Sequence, residues 1–474
     1  MSDYNVYIGL EIHAELDTKT KAFCSCRNSF GSLPNTQVCP VCLGLPGTLP
    51  VINKKAIEYT IMGGLSFGSE IQRKVIFERK NFFYPDMSKS YQITQLSYPI
   101  CLGGGIRLSN GRFIEFNRIH LEEDTGKLIH TDDNQTLVDF NRAGIPIIEL
   151  VTNPQIMTAE EVVEFLTTLR QTLIYAGIAR CKMEEGGLRF DLNISVQPKD
   201  SETLGTRSEI NNLGSLKSVE NAINYETHRQ IELLESGQAV VRETRVWNDE
   251  LGESRPARIK ETENDYRYFP DPDIRPIEIT EKDITRLQAR LPEIIDNRRK
   301  SLLDLGLGED YVDILLRRKD LLDYFTKVVD ITAKPIEVAN WIMVDLMKYI
   351  KNSVSSIEEI ITAENFAEII NRVDSEDITR ANGKILLDEC IKTGKDVSTL
   401  VVELDLMGEV NKKDIVDMVG LIINEKPGIV ADFENNPDEV INHFIGEIMR
   451  HTQGKARPEY IEPLVIEILK SKDQ

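Results

Sequence analysis

Arg118-Ile119-His120-Leu121-Glu122-Glu123-Asp124-Thr125-Gly126-Lys127 alternates apolar and polar residues, then ends in three consecutive acids and a Thr-Gly turn. On a strand of period two, Ile119, Leu121 and Glu123 share one side, while Arg118, His120, Glu122 and Asp124 share the other. Adjacent carboxylates repel one another unless a cation, a metal or solvent neutralises them. Taken alone, the run reads as a strand ending in a solvated acidic turn. The same pattern elsewhere in the chain changes that reading.

Val6, Ile8, Leu10, Ile12, Ala14 and Leu16 form one apolar face of an N-terminal strand, and Glu11, His13 and Glu15 form the other. Pro146-Ile147-Ile148-Glu149-Leu150-Val151 sets a lone carboxylate in an apolar strand, where an unpaired charge is costly. Arg189, Asp191, Asn193 and Ser195 alternate with Leu188, Phe190, Leu192 and Ile194, a polar face suited to lining a cavity. Strands that each deliver acids or a histidine to one face are how a sheet assembles a divalent-cation site.

A chain of 474 residues with 41% hydrophobic and 28% charged content is long enough for two to four globular domains. The net charge of −21 argues against a nonspecific nucleic-acid binder, so any basic contact must be local. No apolar run is long enough to span a bilayer and no secretory pattern opens the sequence, so a cytoplasmic protein with no membrane partner is expected. No Gly-x4-Gly-Lys-Ser/Thr sequence occurs, so any nucleotide must be held by a scaffold other than a Walker loop.

Of seven cysteines, four cluster as Cys24-x-Cys26 and Cys39-x-x-Cys42 in loop-like sequence. Two close pairs of soft ligands joined by a short loop predict structural zinc, with every coordination position filled by protein. Cys101, Cys181 and Cys390 are isolated and read as packing residues.

The fold class expected is α+β. A mixed α/β domain with a largely antiparallel sheet comes first, with helices over Ala56–Gly68 and, behind a Thr158/Glu161 capping box, to Gly177. After about residue 280 amphipathic helices dominate: Thr280–Leu291, Glu309–Asp330, Pro335–Lys351, Ala363–Arg372, Asp377–Thr393 and Asn411–Asn424. Two more fall within Asn436–Lys470, joined by Gly454-Lys455-Ala456-Arg457-Pro458, and the helical region divides near residue 405.

Several blocks, in order, carry a resemblance: Gly9-Leu10-Glu11-Ile12-His13, Arg79-Lys80-Asn81-Phe82-Phe83-Tyr84-Pro85-Asp86, Tyr91-Gln92-Ile93-Thr94-Gln95 and His120-Leu121-Glu122-Glu123-Asp124. Asp139-Phe140-Asn141-Arg142-Ala143-Gly144, Lys182-Met183-Glu184-Glu185-Gly186 and Asp265-Tyr266-Arg267-Tyr268-Phe269-Pro270 continue it. Together they resemble the B subunit of the tRNA-dependent amidotransferases, from about residue 4 to the C-terminus. The resemblance implies a cradle domain over 1–290 with a zinc knuckle at 24–42, a helical domain over 291–405, and a YqeY-type tail over 406–474. The tail is expected to contact tRNA, with Lys455 and Arg457 in its basic turn.

It further implies an ATP-dependent carbon–nitrogen ligase that takes its amide nitrogen from glutamine. The cradle phosphorylates the side-chain carboxylate of Glu-tRNA(Gln) or Asp-tRNA(Asn) with ATP and Mg²⁺, and ammonia displaces the phosphate. An amidase, the A subunit of the same complex, supplies the ammonia, and a small C subunit completes a heterotrimer. This chain itself lacks a Gly-Gly-Ser-Ser-Gly amidase signature. The matching catalytic and Mg²⁺ positions are Glu11, His13, Glu123 and Glu149, with Glu122 as a further candidate. Lys80, Asn81, Tyr84, Glu122, Arg189, Asp191, Asn193, Glu209 and Arg267 are candidates for the nucleotide or substrate pocket. Read without the resemblance, Lys80 and Asn81 beside aromatic rings suit either a phosphate and stacked base or a hairpin with an aromatic core.

The chain departs from the family's common pattern at Asn211, Gly214 and Leu216, where Lys, Asn and Phe are usual, and at Phe190, where Cys is usual. Arg457 stands where Asn is common. A different class of function also suits the chain, a non-catalytic zinc-containing tRNA-binding module. Convergence of the acids separates the two, because a pure binder has no use for it.

Overall fold

The structure is a computed structural model that describes residues 3–131, 133, 135–201, 203–258, 266–292, 295–350, 356–404, 406, 412–430, 433, 436–452, 456 and 458–472. The chain forms two compact units, Met1–Ile295 and Asp296–Gln474.

Among the described residues, eleven strands of the first unit make one sheet. Its centre holds β1 (Tyr4–Glu15), β2 (Phe113–Glu123), β3 (Pro146–Thr152), β4 (Leu188–Pro198) and β5 (Ser208–Asn211). Their order across the sheet is β5-β4-β1-β3-β2, each neighbour antiparallel. A parallel pairing appears beyond β5, with Thr244–Asn248, so the sheet is mixed and largely antiparallel, as expected.

The predicted alternation holds along the central strands. Ile8, Leu10, Ile12 and Ala14 of β1 are fully buried, as are Ile148, Leu150, Leu192 and Ile194 on its neighbours. Against them lie the helices α1 (Lys54–Ser66), α2 (Ala159–Tyr175) and α3 (Leu216–Glu235). The Thr158/Glu161 capping box opens α2, whose Val162, Phe165, Leu166, Leu169 and Leu173 are all 0% exposed. Each such side chain stabilises the packed layer by about 1.5–3 kcal/mol.

Gly63 and Gly64 stand inside α1 for a steric reason. A Cβ at Gly63 would lie 2.7 Å from Ile148 Cδ1, and one at Gly64 would lie 2.3 Å from Cys101 Sγ. The two glycines let α1 lie directly on the sheet, and the second accommodates the buried Cys101 thiol.

The second unit is helical. Glu309–Asp330, expected as one helix, is instead Glu309–Arg317 followed by Lys319–Thr332, with extended backbone at Arg318 (φ −132, ψ 100). Leu315, Leu316, Leu321 and Leu322 are all buried. Six residues apart on one straight helix, the two pairs would face different sides, and the break turns both inward. Helix Pro335–Asn340 runs into a widened turn over Trp341–Leu346, where buried Asp345 accepts from Arg380 at 2.9 Å and pairs with Lys384 at 3.0 Å. Ile415, Val419, Phe444, Ile448, Ile461 and Val465 form a hydrophobic cluster within the last helices. Lys455 and Arg457 lie outside the described residues. Among the described residues, no helix is long and apolar enough to cross a membrane.

Candidate functional site

The face of the sheet opposite the helices carries the polar residues. Strand register sets His13 of β1 against Glu149 of β3, and Glu149 against His120 of β2. His13 Nε2 lies 3.5 Å from Glu122 Oε1 and 3.7 Å from Glu149 Oε2. His120 Nε2 closes the far side, 3.2 Å from Glu149 Oε2 and 4.0 Å from Glu122 Oε2. Thr94 Oγ1 donates to Glu122 at 3.2 Å.

Burial and the charge of Glu149 push the Glu122 carboxyl up to about 7, against His13, His120 and Lys80. Glu149 is held well below the usual range: burial opposes ionisation, but both histidines favour it. Burial works against the charged form of His13, yet its bond to Glu149 and the Glu149 and Glu122 charges hold it up at about 9. The Glu149 charge thus raises the proton affinity of Glu122, as one of two close carboxylates in a shared site does to the other. The ligand atoms of His13, Glu122 and Glu149 lie within 4.8 Å of one another. One imidazole and two carboxylates with an unsettled negative charge fit a hard divalent cation, Mg²⁺ or Mn²⁺.

Glu123 does not belong to this shell. It follows Leu121 onto the helix side of the sheet, where Lys89 Nζ donates to it at 2.6 Å and the Ile93 backbone N–H at 2.9 Å. The period of a flat strand separates Glu122 from Glu123, so Glu122 and not Glu123 lies with His13 and Glu149. Glu11 also stands apart, one rank along β1 and opposite Asp191 of β4. Asn193 Nδ2 donates to Glu11 at 3.1 Å. Burial, then Glu11 and Glu209, push Asp191 up to about 6. With its side-chain nitrogen turned toward them, Asn211 donates to both Asp191 and Glu209 at 3.2 Å. At the position where the family commonly has lysine, this chain therefore bridges two acids with a neutral amide.

Glu11, His13, Lys80, Glu122, Glu149, Arg189, Asp191 and Glu209 all line one cavity of about 700 Å³. Arg189 donates to Asp124 at 2.8 Å. Burial disfavours the Lys80 ammonium, but Tyr268, Glu122 and Glu149 hold its pKa above the usual lysine range. Asn81, Tyr84 and Arg267 line an adjoining cavity that shares Lys80. His120 and Thr94 are additions: His120 was visible in the alternation beside Glu122, whereas Thr94 reaches Glu122 only through the fold.

On the Glu123 side of the sheet, Cys24, Cys26, Cys39 and Cys42 also place one sulfur each within 4.8 Å of the others. Cys39 and Cys42 sulfurs are 3.9 Å apart, close to the edge of a tetrahedron with metal–sulfur bonds of about 2.3 Å. A bond from Cys24, the Cys39 backbone N–H and the Lys21 charge hold the Cys42 thiol down at about 4, against burial. Lys21 itself is 0% exposed and donates to Cys42 Sγ at 3.6 Å and to the Phe140 carbonyl at 3.3 Å. A buried ammonium beside one of four clustered thiols suits a tetrathiolate zinc, whose net charge is negative.

The two adjacent acids separate experimentally. Glu122→Gln weakens Mn²⁺ binding measured by calorimetry and leaves the urea midpoint near that of the parent. Glu123→Gln leaves Mn²⁺ binding intact but lowers stability by about 2 kcal/mol, because the Lys89 ammonium loses its buried partner. Equal loss of Mn²⁺ affinity in both would put Glu123 back in the shell.

Residues 6–285 match the GatB/GatE catalytic domain and residues 323–469 match the GatB domain. The chain is 42% identical to the B subunit of the aspartyl/glutamyl-tRNA(Asn/Gln) amidotransferase from Caldicellulosiruptor bescii, over 98% of this chain and 99% of that one. It is 41% identical to the protein of the same name from Ruminiclostridium cellulolyticum, over 98% and 96% of the two chains. With the counterpart from Thermodesulfovibrio yellowstonii it shares 40% identity over 98% and 99%. Near-complete coverage at this identity, with both domain matches in order, makes the chain a member of the amidotransferase B-subunit family.

Proposed function

We propose that the cradle is an ATP-dependent carbon–nitrogen ligase, acting in the cytoplasm on Glu-tRNA(Gln), Asp-tRNA(Asn) or both. The convergence of His13, Glu122 and Glu149 beside Lys80 and Arg189 carries this reading. A side-chain carboxylate oxygen of the esterified amino acid attacks the γ-phosphorus of ATP, and ADP leaves. Ammonia then attacks the acyl phosphate carbon, loses a proton, and expels inorganic phosphate to give the amide.

The carboxylate is already a nucleophile, so the first step needs neutralised charge more than a base. Lys80 and Arg189 bring cationic groups to the cavity, and Lys80 stays protonated because the site is anionic. His13, Glu122 and Glu149 would hold Mg²⁺, which supplies charge compensation between two anions when bound. Asp191 and Glu209, bridged by Asn211, are placed to orient a donor group of the substrate. The nitrogen comes from a partner amidase, the A subunit, acting on glutamine, and a small C subunit completes the complex. Zinc holds the Cys24–Cys42 knuckle.

The deciding assay incubates the assembled complex with ATP, Mg²⁺ and mischarged tRNA and measures ADP. No ADP above that seen with uncharged tRNA would leave a tRNA-binding module in its place.

The last helices, with their own hydrophobic cluster, support a tRNA-contacting tail over 406–474 behind a helical domain over 291–405. A chain ended at Leu404 therefore raises the KM for mischarged tRNA about tenfold or more, as loss of several phosphate contacts does. The cradle's thermal transition stays in place. Full transamidation at low tRNA concentration by the shortened chain would remove the tail from tRNA recognition.

A further inference from the structure

We infer that Arg79 is a positioning residue for the reaction proposed above: it clamps the segment 269–273 from behind, and so fixes Tyr266 and Tyr268 as the wall against which Lys80 stands. The inference rests on that reading, because Lys80 needs a fixed place only where charge is being transferred.

A separate three-stranded sheet lines one side of the carboxylate cavity. Strand Phe269–Pro270 pairs antiparallel with Glu78–Asn81, which pairs antiparallel with Tyr91–Thr94. Side chains alternate between the two faces of such a sheet. Lys80, Gln92, Thr94 and Tyr268 line the cavity. Arg79, Tyr91 and Phe269 share the other face, where the Arg79 guanidinium lies 4.2 Å from the Tyr91 ring centre and 5.9 Å from that of Phe269.

The third strand is weakly held by its own ladder. It is two residues long, and Pro270 has no N–H to donate. Arg79 supplies what the ladder lacks. Its Nε donates to Asp271 Oδ2 at 2.9 Å, and its Nη2 donates to Asp273 Oδ2 at 2.7 Å. The Asp271 side chain is fully buried, and its other oxygen accepts from the Asp273 N–H at 2.8 Å. One flat guanidinium thus holds two carboxylates while resting on aromatic rings, which a lysine, with a single point of charge, cannot do.

Asn81 holds the near end of the same segment. Its Nδ2 donates to the carbonyls of Tyr266 and Arg267 at 3.2 and 2.9 Å, across a left-handed turn at Arg267 (φ 46). Between the two anchors Tyr266 and Tyr268 stand edge-on, ring centres 6.2 Å apart, with Lys80 Nζ 4.9 Å from the Tyr266 ring centre. A lysine stem is flexible, and a fixed wall of rings narrows its freedom and keeps the ammonium where Glu122 and Glu149 act on it. The clamp therefore reaches the reaction through the wall, without touching substrate.

The test uses the assembled complex with ATP, Mg²⁺ and mischarged tRNA. Arg79→Lys keeps the charge and loses the fork; it lowers kcat for ADP formation about tenfold, while the KM values for ATP and tRNA move by less than about threefold. Tyr268→Ala alone lowers kcat by about tenfold or more, and Arg79→Lys adds less than about twofold on that background, since both act through one wall. Trypsin cleavage after Arg267, followed by mass spectrometry in the absence of substrates, reads the clamp separately and rises about tenfold in Arg79→Lys. Asp273→Asn, at a carboxylate 31% exposed, moves kcat and cleavage in the same directions by about threefold, and it carries the comparisons if Arg79→Lys does not fold. Unchanged cleavage would remove the clamp. Faster cleavage with kcat at the wild-type value, or a further loss of about tenfold on the Tyr268→Ala background, would make Arg79 purely structural and overturn its positioning role. Absence of ADP from the wild-type complex would remove the reaction and the role with it, while cleavage would still read the clamp.

Discussion

Glu149→Gln lowers ADP formation dependent on mischarged tRNA by about a hundredfold or more, in a protein that still folds. Both histidines address Glu149, His120 at 3.2 Å and His13 at 3.7 Å. The substitution keeps the shape of the side chain and removes one charge from the group proposed to hold Mg²⁺. It also releases His13, whose pKa near 9 depends on that charge, so the imidazole titrates at lower pH in the variant. NMR titration of the apo protein reads this separately from activity. Binding to mischarged tRNA persists. Near-normal ADP formation by folded Glu149→Gln would make the cluster structural and move the tRNA-binding module ahead.

Cys39→Ser strips the knuckle of a thiolate, and elemental analysis then finds well under one zinc per chain, against about one in the parent. Structural zinc sites of this ligand class bind with about 10–16 kcal/mol at neutral pH, so losing a ligand costs several kcal/mol of local stability. The fall is read as a lower urea midpoint and as early proteolysis between residues 24 and 42. Lys21 adds to the effect, because its buried ammonium keeps only the Phe140 carbonyl when the sulfur cluster opens. Mn²⁺ binding at His13, Glu122 and Glu149 changes little, since that group faces the other side of the sheet. Wild-type protein purified without chelator and carrying almost no zinc would refute the metal assignment.

The central sheet was legible because its strands alternate strictly, so parity alone placed Glu11, His13, Asp191 and Asn193 on polar faces. The same parity set Glu122 and Glu123 on opposite faces. The placement of Glu123 in the cation shell came from the family block, which marks a segment and not the direction of each side chain. The cysteine spacing was local information and sufficed to bring four sulfurs together. Other features depend on contacts between distant segments, which periodicity does not encode. Lys89 meets Glu123 across 34 positions, Thr94 meets Glu122 across 28, and Lys21 meets Phe140 across 119. The break at Arg318 has no Gly or Pro to announce it, because the demand for it comes from the burial of two leucine pairs. The pinning of Tyr266 and Arg267 by Asn81 was equally invisible, spanning 185 and 186 positions.

His13 is paired across the backbone ladder with Glu149 on one side and Arg189 on the other. The histidines and carboxylates that the central strands bring to the cavity are therefore keyed to the same ladder that buries Ile8, Leu10, Ile12 and Ala14. A slip of β1 by one residue would send His13 into the helix layer and offer Ile12 to the cavity. No partly zipped sheet can hold half of the site, so the protein cannot trade folding accuracy for activity. Cation affinity should consequently vanish at the same denaturant concentration at which the β1 amides lose their protection from hydrogen exchange.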